Sequence, residues 1–172
     1  ATSLNLSYRI ADGLSAKILA GYNQLNTKDY SAFPKSSNSP SFIGESTASH
    51  GSNVFTSYNL EPQLTYKRKV WKGNLNFLAG ATFHRKENEL TYLQVQGFAS
   101  EALMTSIQAA STVSAKTDNY TDYRYTAGFA RINYNIDDKY LINLTGRRDG
   151  SSRFGADNRF ENFGAIGAAY LI

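Results

Sequence analysis

The sequence contains no cysteine and has few residues of three other types: three Pro, one Met and one Trp among 172 residues. Without cysteine, disulfide bonds and Cys-based metal sites are excluded. Charged residues make up 19 % of the chain, below the roughly 25 % that is usual for globular proteins. The net charge of +4 is scattered, apart from a cluster between residues 67 and 72. Nucleic-acid-binding proteins usually concentrate their basic residues on one face, so we expect no nucleic-acid partner.

Long apolar runs are also missing from the sequence. No stretch approaches the roughly 20 apolar residues of a membrane-spanning helix. The first ten residues alternate between apolar and polar side chains, which is not the pattern of a secretory signal. These observations exclude a helical membrane protein. They leave a membrane β-barrel open, because barrel strands alternate and never read as continuous apolar runs.

The residues that are abundant favour β structure. The chain contains 12 Tyr, 10 Phe and 13 Gly, and aromatic residues are common in strands. In the first strand Leu4, Leu6 and Tyr8 alternate with polar residues, and this two-residue period recurs along the chain. We therefore predict an all-β fold of about seven antiparallel up-and-down strands. Pro62 falls within the third strand and predicts a bulge or a local break there.

The connections between the predicted strands alternate between short and long. Tight turns are predicted at 11–13, 69–73 and 136–139, and longer polar loops at 31–53, 97–121 and 149–159. One short helix is predicted at 100–111, with Ser100 as its N-cap. Tight turns at one end and long loops at the other are typical of a transmembrane β-barrel. The alternative is a soluble all-β carbohydrate-binding module whose apolar faces form a sandwich core.

Aromatic residues near the predicted short turns fit the barrel interpretation. An aromatic girdle marks each membrane interface of a barrel. The girdle residues predicted from the sequence are Tyr8, Tyr66, Trp71, Tyr134 and Tyr140.

The sequence shows no constellation that would carry out catalysis. His50 and His84 lack clustered acidic partners, so no metal site is expected. No nucleophile-elbow motif is present, and the stretch RRDGSSRF at 147–154 lacks the Lys-Ser/Thr and the following helix of a phosphate-binding loop. We expect no catalytic residue, no cofactor and no enzymatic activity. Asp149 and Gly150 predict a hairpin turn within that stretch, and its arginines are predicted to pair with Asp149, Asp157 or Glu161.

The C-terminal third resembles the SusC/RagA family of TonB-dependent outer-membrane transporters. The run YTAGFARINYNIDDKYLINLTGRRDGSSRFGADNRF, residues 125 to 160, is similar to a recurring barrel segment of that family. QGF at 96–98 is also similar to the family, whereas residues 1 to 95 fit by pattern more than by motif. The positions that match most closely are Phe129, Ala130, Arg131, Asn133, Tyr134, Asn135, Asp137, Asp138, Lys139, Tyr140, Leu141 and the whole of 147–155.

The resemblance implies a larger protein than the one whose sequence is given. Family members carry an N-terminal plug, a TonB box and a barrel of about 22 strands around a plugged lumen. The sequence accordingly predicts that residues 1–172 are a partial barrel segment, with no plug and no complete barrel. On its own, such a segment would not transport anything.

The resemblance also implies where the protein acts and with what. The location would be the outer membrane of a Gram-negative, Bacteroidetes-like bacterium, with lipid around the barrel. The function would be import of large nutrients, glycans or peptides, with energy from a TonB complex reached through the N-terminal part. A SusD-like surface lipoprotein would cap the mouth. Candidate contacts for substrate or for that lipoprotein are Arg147, Arg148, Asp149, Arg153 and Phe154.

Overall fold

A computed structural model of the chain describes residues 1–37, 39, 41, 44–155 and 159–171. These residues form a single open sheet in which each strand is hydrogen-bonded to the next along the chain. The predicted all-β, antiparallel up-and-down fold is thus confirmed. The seven strands are β1 (Thr2–Ala11), β2 (Leu14–Phe33), β3 (Thr47–Val70), β4 (Gly73–Phe98), β5 (Ala110–Ile136), β6 (Tyr140–Ser151) and β7 (Phe160–Tyr170).

All three predicted tight turns are present. At the first turn Gly13 has φ +77°, and a Cβ there would lie 2.0 Å from the carbonyl oxygen of Lys67, so only glycine fits. At the third turn Asp137 and Asp138 both have positive φ, 49° and 56°, as the two-residue turns preferred in hairpins require. The second turn is formed by residues 71 and 72, because Gly73 already begins β4. Its positive φ of 53° belongs to Trp71.

The predicted long loops are shorter in the structure because the strands extend into them. The loop predicted at 31–53 spans only 34–46, the one at 97–121 spans 99–109, and the one at 149–159 spans 152–159. The added strand segments, such as 110–121, carry polar residues on both faces. Strand pairing continues there through backbone hydrogen bonds, without the alternation on which the prediction depended.

The prediction of a helix at 100–111 is wrong. In place of one helix at 100–111 the structure has 3-10 turns at Glu101–Leu103 and Ile107–Ala109, because Ser106 between them is extended. Serine and threonine side chains compete with helical backbone bonds, which favours such an interruption. Ser100 does act as an N-cap, accepting a hydrogen bond from the Ala102 N–H at 3.4 Å. The local break at Pro62 is not present, since β3 runs through it, whereas the alternative of a bulge there stays a prediction.

Asp149 and Gly150 do not form the predicted hairpin turn. Both lie within β6, opposite Ala127 and Thr126 of β5. Across β6 and β7, Gly150 pairs with Phe160, and a Cβ on Gly150 would lie 2.5 Å from the Phe160 ring. Glycine is therefore required for packing an aromatic ring over the strand. The chain leaves β6 after Ser151.

The chain divides into two compact units. Unit 1 comprises residues 1–23, 57–86 and 123–172, and unit 2 comprises 24–56 and 87–122. In unit 1 the register of the strands separates an apolar face from a polar face. Leu6 pairs with Ile18, Ile132 with Leu144 and Leu144 with Ile166 on the apolar face. Between these positions Ser7 pairs with Lys17, and Asn133 pairs with Asn143, on the polar face.

Unit 2 contains a small core of its own. Ala48 and Val95 are fully buried and Met104 is 3 % exposed, with Phe98 and Ala110 packed against them. Ala48 lies on β3 and Val95 on β4, while Met104 comes from the loop between β4 and β5. This core fixes the 99–109 loop to the strands.

Candidate functional site

The polar face of unit 1 collects an arginine–aromatic cluster, which consists of His84, Tyr123, Tyr125, Phe129, Arg147, Asp149 and Arg153. Three of its members, Tyr123, Tyr125 and Phe129, lie at odd-numbered positions of β5 and therefore on the same face of the strand. The register of β5 and β6 places Phe129 opposite Arg147 and Ala127 opposite Asp149, so the two strands present their side chains to the same face. The strand alternation thus assembles the cluster from residues that are distant in sequence.

Arg147 is the centre of this cluster. Its Nε donates to Oδ1 of Asp149 at 2.6 Å, and its Nη2 donates to the hydroxyl of Tyr125. The guanidinium carbon lies 5.9 Å from the centroid of the Phe129 ring, within the range of a cation–π contact. Three neighbours therefore hold one planar guanidinium, which leaves it oriented for recognition of a planar or anionic group.

A glycine on β4 makes room for the aromatic part of the cluster. A Cβ on Gly80 would lie 2.6 Å from the Phe129 ring and 2.9 Å from the carbonyl oxygen of Pro62. Close by on the polar face, Glu61 accepts hydrogen bonds from Gln63 at 2.6 Å and from Thr82 at 3.3 Å. The Phe129 ring thus packs directly on the sheet, beside a hydrogen-bonded polar surface.

A second cation–aromatic contact lies at the end of the cluster. The guanidinium carbon of Arg153 lies 4.5 Å from the centroid of the Tyr123 ring. The Tyr123 ring in turn meets His84 edge-on, with centroids 6.5 Å apart. Arg153 belongs to the turn after β6, whose backbone is held by a hydrogen bond from the Arg153 N–H to Ser151 Oγ at 3.2 Å. The turn therefore presents its arginine to the same polar face.

The structure brings together only some of the residues singled out from the sequence. Arg147 and Asp149 form an ion pair, as the sequence predicted for the arginines of this stretch. Arg153 joins the cluster through Tyr123. Arg148 lies on the opposite, apolar face, where it stacks on Phe160 at 5.1 Å. Phe154 is 46 % exposed in the turn. The predicted pairing with Asp157 lies outside the described residues.

Sequence reasoning missed the aromatic members of the cluster. Tyr123, Tyr125 and Phe129 lie on the same side of β5 as Arg131 and Asn133, which is the polar face of unit 1. Their position was the available signal, since an aromatic residue on a polar strand face has no apolar core to join. His84 was considered only as a metal ligand, whereas it contacts an aromatic ring.

Unit 2 contains a second polar feature, which ties two loops together. Glu101 accepts hydrogen bonds from the Ser36 N–H at 2.8 Å and from the Ser36 hydroxyl at 2.7 Å. Ser46 adds a longer bond at 3.4 Å. The Ser36 hydroxyl, and then its N–H, lower the pKa of the Glu101 carboxyl, because these donors favour its charged form. The carboxylate thereby links the 34–46 loop to the 99–109 loop.

A groove of about 450 Å³ opens on unit 2. Its walls combine Lys28, Tyr30 and His50 with Leu93 and the loop residue Ile107. The Tyr30 and His50 rings lie 5.1 Å apart. The groove thus combines aromatic, polar and apolar side chains, a mixture that is typical of small-molecule sites.

The described residues contain neither a cluster of metal-ligating side chains nor a membrane-spanning helix. No group of three or more His, Cys, Asp or Glu side chains is arranged to hold a metal ion in the part of the chain that the structure covers. Across the same described ranges, no helix has the length and apolar character needed to cross a membrane.

Comparison with known proteins identifies the kind of protein to which the chain is related. No family model matches it. The chain is 32 % identical over 143 residues to TonB-dependent receptor P26 of Formosa agariphila, covering 80 % of the chain and 14 % of the relative. It is 26 % identical over 163 residues to TonB-dependent receptor P3 of the same organism, covering 93 % and 16 %. The chain thus spans about a sixth or less of these relatives.

The solved structures agree with the curated relatives. The structure of the RagAB peptide transporter matches with a TM-score of 0.83 and 26 % identity, covering 96 % of this chain and 19 % of that one. The RagAB peptide importer in its open-open state matches with a TM-score of 0.82 and 25 % identity, covering 94 % and 18 %. The seven-stranded sheet is therefore a piece of barrel, and the predicted outer-membrane location is confirmed. The resemblance to the TonB-dependent receptors of the SusC/RagA family is thereby confirmed.

Proposed function

We propose that this chain forms part of the barrel wall and of the extracellular loops of a TonB-dependent importer of large nutrients, glycans or peptides. One observation carries the proposal: a sheet with the fold of the RagAB transporter presents a continuous apolar face to its surroundings. On that face Leu6 is 56 % exposed and Ile166 is 80 % exposed. Apolar surface of this extent suits contact with lipid.

The same observation argues against the soluble carbohydrate-binding module. A sandwich domain would bury one face of this sheet against a second sheet. In unit 1, by contrast, only Ala127 among the described hydrophobic residues is fully buried. The relatives named above are also receptors or transporters, and we propose that the chain takes part in no covalent chemistry.

In this proposal the polar face lines the path of the substrate. Arg147, held by Asp149 and Tyr125, and Arg153, stacked on Tyr123, supply cationic and aromatic groups. These groups suit the carboxylate of a peptide or the ring of a sugar. Phe154, exposed in the turn after β6, is placed to contact either substrate or the lipoprotein. Arg148, on the other face, takes no part in substrate contact.

The partners follow from the same family. We propose that a SusD-like surface lipoprotein covers the extracellular loops, among them the loop latch formed by Glu101 and Ser36. Energy would come from a TonB complex that acts on a part of the receptor outside these 172 residues. Membrane lipid would surround the apolar face, and no nucleic acid is involved.

Uptake by the receptor that carries this segment tests the proposal. Arg147→Ala removes the guanidinium that Asp149, Tyr125 and Phe129 hold, so uptake of labelled substrate should fall about tenfold, as for loss of a charge-assisted hydrogen bond. Labelled oligosaccharides and labelled peptides are tried in parallel. Asn143→Ala, on the same polar face of β6, is the matched control and should leave uptake unchanged. Normal uptake by Arg147→Ala, at an equal level of receptor in the outer membrane, would contradict the role given to the cluster.

A further inference from the structure

The apolar face of unit 1 ends in a row of arginines. On β6 this face begins at Tyr140, continues through Ile142, Leu144 and Gly146, and reaches Arg148. On β7 the paired positions begin at Tyr170 and end at Asn162 and Phe160. Arg85 on β4 and Arg124 on β5 lie on the same face, because side chains alternate between the two faces of each strand. Each arginine lies at the end of a run of apolar residues on that face.

The height of this row can be estimated from strand geometry. From Tyr140 to Arg148 the strand advances by eight residues, about 26 Å at a rise of roughly 3.3 Å per residue. Barrel strands are tilted by about 40°, so the vertical distance is about 20 Å, against an apolar band about 25 Å tall. A long arginine side chain can extend the remaining distance to the headgroups. Arg148 therefore lies at the interface opposite the one marked by Tyr140.

A second aromatic girdle supports this placement. Tyr22 and Tyr58 lie on the apolar face with ring centroids 5.2 Å apart. Phe83 on β4 and Phe160 on β7 face the same way, and both are about half exposed, at 45 % and 54 %. Barrels carry aromatic girdles at both interfaces, and the residues near the short turns account for only one. These four rings form the other, at the level of the arginines.

The arginines and the girdle rings share two surface grooves. One groove, of about 430 Å³, is lined by Arg85 and Arg124 together with Tyr58, Leu60 and Phe83. The other, of about 240 Å³, is lined by Arg124, Arg159 and Phe160. Arg148 lies over the Phe160 ring, 5.1 Å from its centroid. Each groove thus combines guanidinium groups with an apolar or aromatic wall, as a lipid with a charged headgroup and an acyl chain would require.

Positive charge predominates in this row. Glu87 and Asp122 lie two residues away from Arg85 and Arg124, on the same face of β4 and β5. The excess of positive charge therefore comes from Arg148, which is exposed on this face, and from Arg159, which is exposed and lines the second groove. The planar guanidinium matches phosphate in two parallel hydrogen bonds and is the preferred side chain for phosphate recognition.

We propose that Arg85, Arg124, Arg148 and Arg159 bind the phosphate groups of an anionic lipid in the outer leaflet of the membrane, with the acyl chains lying along the apolar face. The proposal depends on the membrane location of this face and is independent of the substrate that the receptor imports. It assigns a binding site to the outside of the barrel, whereas the proposed transport site lies on the polar face.

The test is lipid binding by the receptor that carries this segment, purified from outer membranes in a mild detergent. Native mass spectrometry measures the affinity for a bis-phosphorylated glycolipid and for the same lipid without its phosphates. Replacing both exposed arginines (Arg148→Gln with Arg159→Gln) should weaken binding of the phosphorylated lipid by tenfold or more, since two charge-assisted contacts are lost. Binding of the dephosphorylated lipid should not change.

Control variants make the result specific. Arg131→Gln removes an arginine from the polar face of β5 and should leave lipid binding intact. The double change to lysine (Arg148→Lys with Arg159→Lys) keeps the charge but loses the planar fork, and should give an intermediate affinity while preserving the surface. Strand content by circular dichroism and the heat-induced gel shift verify that each variant is folded.

Other results would overturn the proposal. These are unchanged lipid affinity in the glutamine double variant, an equal loss in Arg131→Gln, or displacement of the lipid by millimolar inorganic phosphate as effectively as by the lipid itself. The last result would identify a site for free phosphate. Failure of the transport proposal can be distinguished from failure of the lipid-binding proposal. Lipid binding is measured without any substrate, and uptake is measured in a receptor whose row of arginines is intact.

Discussion

Strands β2 to β5 contribute to both unit 1 and unit 2, but the two units differ in how far their apolar side chains are exposed. In unit 1, Leu6, Leu144 and Ile166 are all about half or more exposed, and the one fully buried hydrophobic residue among those described is Ala127. In unit 2, Ala48, Val95 and Met104 form a core with almost no exposure. The same β-sheet therefore exposes its apolar side chains to lipid in unit 1, and in unit 2 withdraws some of them from water into a small core.

The difference explains why each unit uses different means to fix its conformation. Unit 1 depends on strand pairing and on close ring packing at glycines, such as Gly80 under Phe129. Unit 2 adds a loop that folds back with Met104 and a carboxylate latch at Glu101. Substitutions in the two units should consequently fail for different physical reasons.

The largest effect is expected from a charge on the apolar face of unit 1. Leu144 lies midway between Tyr140 and Arg148 on β6, so Leu144→Arg places a guanidinium near the centre of the apolar band. The cost should be about 2–4 kcal/mol of unfolding free energy, as for basic residues at the bilayer midplane. Urea titration of the receptor in lipid vesicles measures it.

Asn143→Arg is the matched control for this prediction. Asn143 is the neighbouring residue on the polar face, opposite Asn133 and Gly167. Its replacement should change the unfolding free energy by no more than about 0.5 kcal/mol, since the new charge meets water. Equal losses for both variants would show that the two faces of unit 1 are not distinguished by their solvent.

A smaller effect is expected from the core of unit 2. Met104 is 3 % exposed, and Met104→Ala should cost about 2 kcal/mol, at the lower end for large-to-small core changes because the cluster is small. The loss should be confined to local opening of the 99–109 loop, which hydrogen exchange measures. Leu103→Ala is the control, because Leu103 is 44 % exposed and its truncation should have little effect. A comparable loss for Leu103→Ala would contradict the assignment of Met104 as the anchor.

Much of unit 1 could be predicted from the sequence. Because one face of the sheet meets lipid and the other meets water, apolar and polar side chains alternate along its strands with a period of two residues. The turn at Gly13 and the alternation of β1 and β6 follow from that period and from turn chemistry. The period is absent in segments such as 110–121, where both faces are polar, so the strand extensions were predicted as loop.

Side-chain geometry in the site was harder to predict. The Asp149–Gly150 pair predicts a turn by local chemistry, but Phe160 needs the space above Gly150, so the strand continues. This requirement involves a residue ten positions away on another strand, which no local pattern contains. The cluster around Arg147 was found by its charges, while its aromatic members depend on register between β5 and β6.

The smallest expected effect concerns the latch of unit 2 and depends on pH. Hydrogen bonds from Ser36 lower the pKa of Glu101 in the folded state below its ordinary value of 4.5. The latch therefore contributes fully above that value and is lost as the pH falls through the lowered pKa. Cleavage of the 34–46 loop by an acid-stable protease, compared between the native receptor and Glu101→Gln from pH 3 to pH 7, measures this change. Because the amide does not titrate, the protease's own pH dependence cancels in the ratio of the two rates. The native loop should be more resistant at pH 7, and the two rates should converge as the pH falls through the lowered pKa of Glu101. A ratio that is constant over this range would show that the carboxylate charge does not hold the two loops together.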